Sequence, residues 1–595
     1  MTTQKLPTAA KPAPAIVRTP QRPAPAPTAP APRIRRDNKA WDGGVVYTEK
    51  NSPARVLYYG DDFRLANLPV GTRVIFPKPP LQGLQNPDAA IRYALNHPEG
   101  CEPLYAKLFP GMKVTIAIDD ISLPLPPMKK PDIRERILTI VLQMMADHGV
   151  TDVEIVIATS FHRRMKDWEV RHIVGDKIFN AYWPDRLYNH DSEDEGMEVI
   201  GQTERGEMVE LPRRVLDSDL TIYCNINLVP MDGGNKSVAV GLAGYKSLRA
   251  HHNPYTMREC HSYMDPKRSS LHDSVDRMGR LVHSTIDVFQ IETSINNHMY
   301  DGPLSFLMKR EEDFTDGDWL KFKGLMFALD KMPAAGRTEV FSRIQAPYAM
   351  TGVWAGKTDL VHEKCLERVH QQYNIPIRGQ CDVAIMGMPF ISPYNIHSVL
   401  NPVLVQVLAQ GYMHNLYRGV PLVKKGGTLI ISHPAEDRFD AEQHPSYIEF
   451  FHRLLPITRD SVELHTKYEE EFANNPIYKQ MYRRGNAYHG VHPFYMWYWG
   501  EAGRKHMGRV IVAGAKSEKV CEILGYESAR NMAEAIEMSK DTAPPNPSFT
   551  MVHSPPILLV DVEDPAVTPA EPSDRHTPHP HHTGGNGQNG TNGHG

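Results

Sequence analysis

Short β-branched runs alternate along the chain with segments whose apolar residues recur at helical spacing. "KVTIAIDD" (113–120) is one such run and ends on two aspartates. "DIRERILTIVLQMMADHGV" (132–150) has helical apolar spacing and closes on His-Gly, a helix C-terminal signal. "DVEIVIATS" (152–160) and "DLTIYCNIN" (219–227) read as strands again. This rhythm predicts βαβ units and a mainly parallel sheet. It returns in the second half with "CDVAIMGMP" (381–389), a helix over 398–416, "GGTLIISHP" (426–434) and "GRVIVAG" (508–514). The expectation is an α/β protein of two α/β domains, 41–280 and 281–545, with mainly parallel sheets and an active site in the cleft between them.

The flanks break the pattern. The first 36 residues are rich in Pro and Ala, and the chain closes on "HTPHPHHTGGNGQNGTNGHG". Tails at 1–40 and 546–595 are therefore expected to be disordered, since proline blocks helix propagation and low-complexity polar tracts bury little. The histidines of the second tail (His576, His579, His581, His582 and His594) could bind a borderline metal such as nickel, but only loosely. At 595 residues the chain is too long for one core, and no repeat appears at a solenoid period.

A net charge of −4 gives no reason to expect nucleic acid or an anionic membrane as partner. No apolar run approaches the roughly 18–20 residues of a membrane helix, so a soluble, cytoplasmic protein is expected. The six cysteines are scattered and form no CxxC pair, which fits reduced thiols better than disulfides or a zinc ribbon.

In open α/β sheets ligands bind beyond the carboxyl ends of strands. Three predicted strands end in polar groups there: Asp119 and Asp120; His162 and Arg163; Asn225 and Asn227. The last pair leads into "MDGGNKSVAVGLAGYKSLRAHHNP" (231–254). "GGNKS" is not a phosphate loop, because Asn235 separates the glycines from Lys236. Taken singly, each feature has a bland reading: a surface turn, a strand exit stiffened by proline, or a helix ending on His251 and His252.

The order and spacing of the pieces are similar to those of the lactate racemase family, from about residue 68 to about 539. The family's "SDITRP" appears as "DDISLP", "GTHR" as "SFHR", and "NHD" (189–191) is intact. Its lysine-containing glycine segment resembles "PMDGGNKSVAVGLAGYKSLRAHH", and its "VFAG" resembles "GVWAG" (352–356). The resemblance implies a nickel-pincer nucleotide (a Ni(II)-pyridinium-3,5-bisthiocarboxylic acid mononucleotide) joined to Lys236, with nickel held by His252. It further implies cofactor contacts from Asp120, Ile121, Ser122 and Leu123, and His162 as a catalytic base. Maturation enzymes for the cofactor are the implied partners.

The departures are as informative. The family's second base falls on Ile226, which cannot move a proton, and the arginine of "DITR" is Leu123. Polar residues of a later family segment fall on Leu400 and Val403. The expectation is a racemase or epimerase of a 2-hydroxy acid other than lactate, acting by hydride transfer, on a bulkier or less charged substrate. His397, His251 and His190 are candidates for the missing base. A non-epimerising hydride-transfer enzyme and a non-catalytic nickel or cofactor carrier stay open.

Overall fold

A computed structural model describes residues 44–569 and 571–572. The N-terminal tail expected at 1–40 and the histidine cluster at 576–594 lie outside the described residues.

Two large sheets organise the rest. The first has six strands, in spatial order Met350–Gly356, Val288–Ile295, Leu220–Asn227, Lys113–Asp119, Asp152–Ala158 and Leu187–Asn189. The second has seven: Val45–Tyr47, Arg73–Ile75, Phe549–Val552, Cys381–Gly387, Val423–Ser432, Arg509–Ala513 and Glu527–Ala529. Each is parallel apart from one antiparallel edge strand, Met350–Gly356 in the first and Val45–Tyr47 in the second. The central strands Leu220–Asn227, Val288–Ile295 and Cys381–Gly387 are buried at every position. Helices pack on a parallel sheet's faces, which is why these strands are buried on both faces rather than alternating.

The mainly parallel α/β architecture is as expected, and all six strand runs quoted above form strands. Two boundaries differ. The first sheet takes in Val288–Ile295 and Met350–Gly356, so a division at 280/281 would cut between neighbouring strands of one sheet. The second sheet draws edge strands from residues 45–75, so chain order and sheet membership do not coincide.

The tail expected from 546 is also corrected. Phe549–Val552 is fully buried between Cys381–Gly387 and Arg73–Ile75, and Leu559–Glu563 pairs with Asn374–Arg378. Its β-branched and aromatic residues suit that place; the prolines on either side hid it.

A buried ionic cluster joins distant segments near the second sheet. Glu311 accepts from the Val56 amide (2.9 Å) and Arg55 (3.1 Å), and pairs with His553 (2.7 Å). Burial alone would raise this carboxyl, but His553 and the amide bring it down to about 2.

Candidate active site

The glycine pair explains how the lysine is delivered. After strand Leu220–Asn227 the chain turns through Gly233 (φ 81°) and Gly234 (φ 59°), both in the left-handed region that only glycine adopts freely. A Cβ on Gly233 would lie 2.5 Å from Asn227 Oδ1 and 2.7 Å from Glu292 Oε1. The Gly234 amide instead donates to buried Glu292 at 2.5 Å. These glycines therefore serve close packing onto a carboxylate, and helix Lys236–Gly241 starts directly after. Lys236 Nζ lies 4.0 Å from Asp232 Oδ1. Burial lowers its ammonium below the ordinary lysine value, with Asp232 and Asp119 offsetting part of the effect. An amine so placed is a better nucleophile than a solvated lysine.

His162 sits in the loop after strand Asp152–Ala158. That loop is clamped by the "NHD" segment: the Met165 amide donates to Asn189 Oδ1 (2.9 Å) and the Thr159 hydroxyl to the His190 carbonyl (3.0 Å). His162 Nδ1 is 2.8 Å from Asp120 Oδ2. The other Asp120 oxygen accepts from the Ser122 amide (2.9 Å) and hydroxyl. Burial would raise the Asp120 carboxyl, yet His162 and Ser122 hold it below the usual carboxylate range. A carboxylate on one imidazole nitrogen fixes the tautomer and leaves the other nitrogen free to take a proton. Asp119 has a different task. Its carboxylate accepts from Asn225 and from the Ile226 amide, both at 2.8 Å, clipping two strands together, and burial pushes it up to about 7.

His252 follows helix Tyr245–His251 and packs against aromatic rings, with centroids 5.6 Å from Tyr495 and 5.7 Å from Trp499. Burial, with His251, Lys236 and His162 nearby, keeps it well below its ordinary value, so the ring is neutral. Its Nδ1 is buried without a hydrogen-bond partner. A neutral imidazole with free donor capacity is what metal ligation requires. Among the described residues, no three His, Cys, Asp or Glu side chains come together to hold a metal ion. A metal here would need donors from a cofactor, so one histidine beside a nucleophilic lysine suits a tethered metal-bearing group.

Asp120, Ser122, Leu123, His162, Lys236 and His252 all line one cavity of about 140 Å³. Ile121 does not; it is buried beside a neighbouring cleft. Ile226 is buried in its strand. The three histidines offered for its missing base are elsewhere. His190 contacts the Ala243 carbonyl (3.1 Å), His251 the Ser247 carbonyl (2.8 Å), and His397 lies in other clefts beside Glu169 and Trp168. Leu400 and Val403 do not line the cavity either; Val403 is wholly buried.

A further part of the lining comes from the second half of the chain and was not anticipated: Tyr394, Tyr412, His492, Tyr495 and Trp499. His492 opens helix His492–Trp499, its ring centroid 5.7 Å from that of His162. Its Nδ1 is 2.5 Å from the Tyr447 hydroxyl, and burial keeps it neutral, well below the ordinary histidine value. The only sequence signal was "HPFYMWYW", whose density of aromatics around a histidine reads equally well as core.

Residues 59–264 match the model of the lactate racemase N-terminal domain. The structure of the lactate racemase apoprotein from Thermoanaerobacterium thermosaccharolyticum is similar over 86% of this chain and 100% of that one, with a TM-score of 0.53 at 16% identity. A crystal structure of a Thermotoga maritima protein covers 82% of this chain and 100% of its own, with a TM-score of 0.46 at 14% identity. No curated protein matches the sequence. The chain has the fold of the lactate racemase apoprotein, and its residues 59–264 are similar to the lactate racemase N-terminal domain.

Proposed function

We propose that this protein is a nickel-pincer nucleotide-dependent isomerase that racemises or epimerises a 2-hydroxy acid other than lactate. The observation that carries the reading is the meeting of Lys236, His252 and the Asp120–His162 pair on one cavity. Lys236 would tether the nucleotide and His252 would ligate its nickel. When bound, the cofactor supplies a hydride acceptor and donor.

The chain's own residues handle the proton. Asp120 holds the Nδ1 proton of His162, so Nε2 takes the substrate's hydroxyl proton as the α-hydride leaves, and returns it when the hydride comes back. Inversion calls for proton transfer to substrate bound in its mirror orientation as well. His492, on the same cavity, would replace the base lost at Ile226. Tyr447 fixes its ring. The aromatic residues give the reacting carbon a largely apolar surround.

Loaded protein incubated with single enantiomers of α-deuterated 2-hydroxy acids should yield the opposite enantiomer with deuterium retained. Wash-out of the label into water would replace internal hydride return with carbanion chemistry. Inversion that persists at full rate in nickel-free protein would overturn the cofactor assignment.

A further inference from the structure

Beyond the cavity just described lies a second one of about 130 Å³, and the two share Leu123, Met231, Asp232, Pro393 and Tyr412. Its deeper wall is apolar: Leu228, Met264, Met299, Leu416 and Ile557. One oxygen of Asp232, the carboxylate at the junction, accepts from the Leu228 and Val229 amides at 3.2 and 3.1 Å, and the other faces Lys236 Nζ at 4.0 Å. Tyr412 at the same junction shares its hydroxyl with Tyr394 at 2.5 Å. The passage is therefore bounded by polar groups already engaged with neighbours and by Leu123, the position at which the resembling family carries arginine.

We infer that this chamber receives the apolar arm of the substrate, so that the acid handled at His162 is a 2-hydroxy acid with an unbranched or aryl side chain of several carbons. The inference rests on the function proposed above for the adjoining cavity. An apolar cavity left empty forgoes contacts on every side, and a hydrocarbon arm restores them while leaving water. Methionine side chains on the wall (Met231, Met264 and Met299) suit an arm of variable shape, because the thioether chain repacks at little cost. The chamber is closed on one side by Ser554–Ile557, the loop that links the two strands of the C-terminal segment. That segment thus serves the site as well as the sheet.

Chain-length dependence of binding is the test. Lactate, 2-hydroxybutanoate, 2-hydroxyhexanoate and 2-hydroxyoctanoate are titrated calorimetrically into the full-length protein without cofactor. Affinity should rise about fourfold per added methylene, the value of one buried CH2, until the chamber is full. Leu416→Trp, which fills the chamber, should flatten that series; Met299→Phe is the smaller intrusion should the tryptophan variant fail to fold. Affinity independent of chain length in the unmodified protein overturns the inference, as does an unchanged slope in a folded filled variant. The same acids are then offered to cofactor-loaded protein. A binding slope without inversion of any acid leaves the chamber standing and removes the racemase reading. Inversion of lactate alone, with a flat series, removes the chamber and the exclusion of lactate while leaving cofactor-dependent inversion standing.

Discussion

The two walls of the cavity are made of different material. The wall from the first sheet carries ionisable groups, Asp120, His162 and Lys236, each in the segment that follows the carboxyl end of a parallel strand. The wall from the second half carries Tyr394, Tyr412, Tyr495 and Trp499, with His492 as its ionisable exception. The first wall is built locally: each group is held by a short loop and by neighbours from adjacent strands. The second is built by long-range packing of helices and loops that are far apart in sequence. Chemistry is thus concentrated on one side and shape on the other.

That contrast predicts where substitutions act. The largest effect belongs to Lys236→Ala, which should abolish stereochemical inversion, measured by chiral chromatography, because it removes the proposed tether. His162→Gln should follow, lowering kcat by about 10²–10⁴ with little change in KM, the range for losing a positioned general base. His492→Gln should lower kcat by about 10² if that residue is the second proton carrier. A change confined to KM would instead return it to the shape-forming wall and restore a clean division between the two sides.

A smaller effect lies outside both walls. Glu311 has a folded-state value of about 2, depressed from an ordinary 4.5. A depressed carboxyl contributes stability above its unfolded value and loses it as pH falls through the folded one. Its share, about 3 kcal/mol, should therefore be present above about pH 4.5 and fade toward pH 2. Denaturant melts of the wild type and Glu311→Gln should converge across that window. Parallel curves would show that the cluster contributes no such term.

The same contrast governs what could be read from the chain. Strand rhythm exposed the sheets, because buried parallel strands keep near-continuous apolar runs. Polar residues at their ends pointed to the ionisable wall. Even so, Asp120 was legible as a candidate cofactor contact but not as the partner of His162 and Ser122. That pairing joins residues 42 positions apart and has no local signature. The aromatic wall was illegible for a similar reason: "HPFYMWYW" is all buried, and burial alone does not say whether a side chain faces core or cavity. The strand at 549–552 was missed because its hydrogen-bond partners lie more than 150 residues away.

Lys236 as the tether of a metal-bearing cofactor is the central claim, and intact-mass spectrometry tests it most directly. Wild-type protein and Lys236→Ala are each co-expressed with cofactor-maturation enzymes and weighed without denaturing exchange of ligands. The account predicts a covalent nucleotide adduct on the wild type, mapped by peptide fragmentation to Lys236, and none on the variant. An unmodified wild type that still inverts a hydroxy acid with nickel, or the same adduct on both proteins, would contradict it.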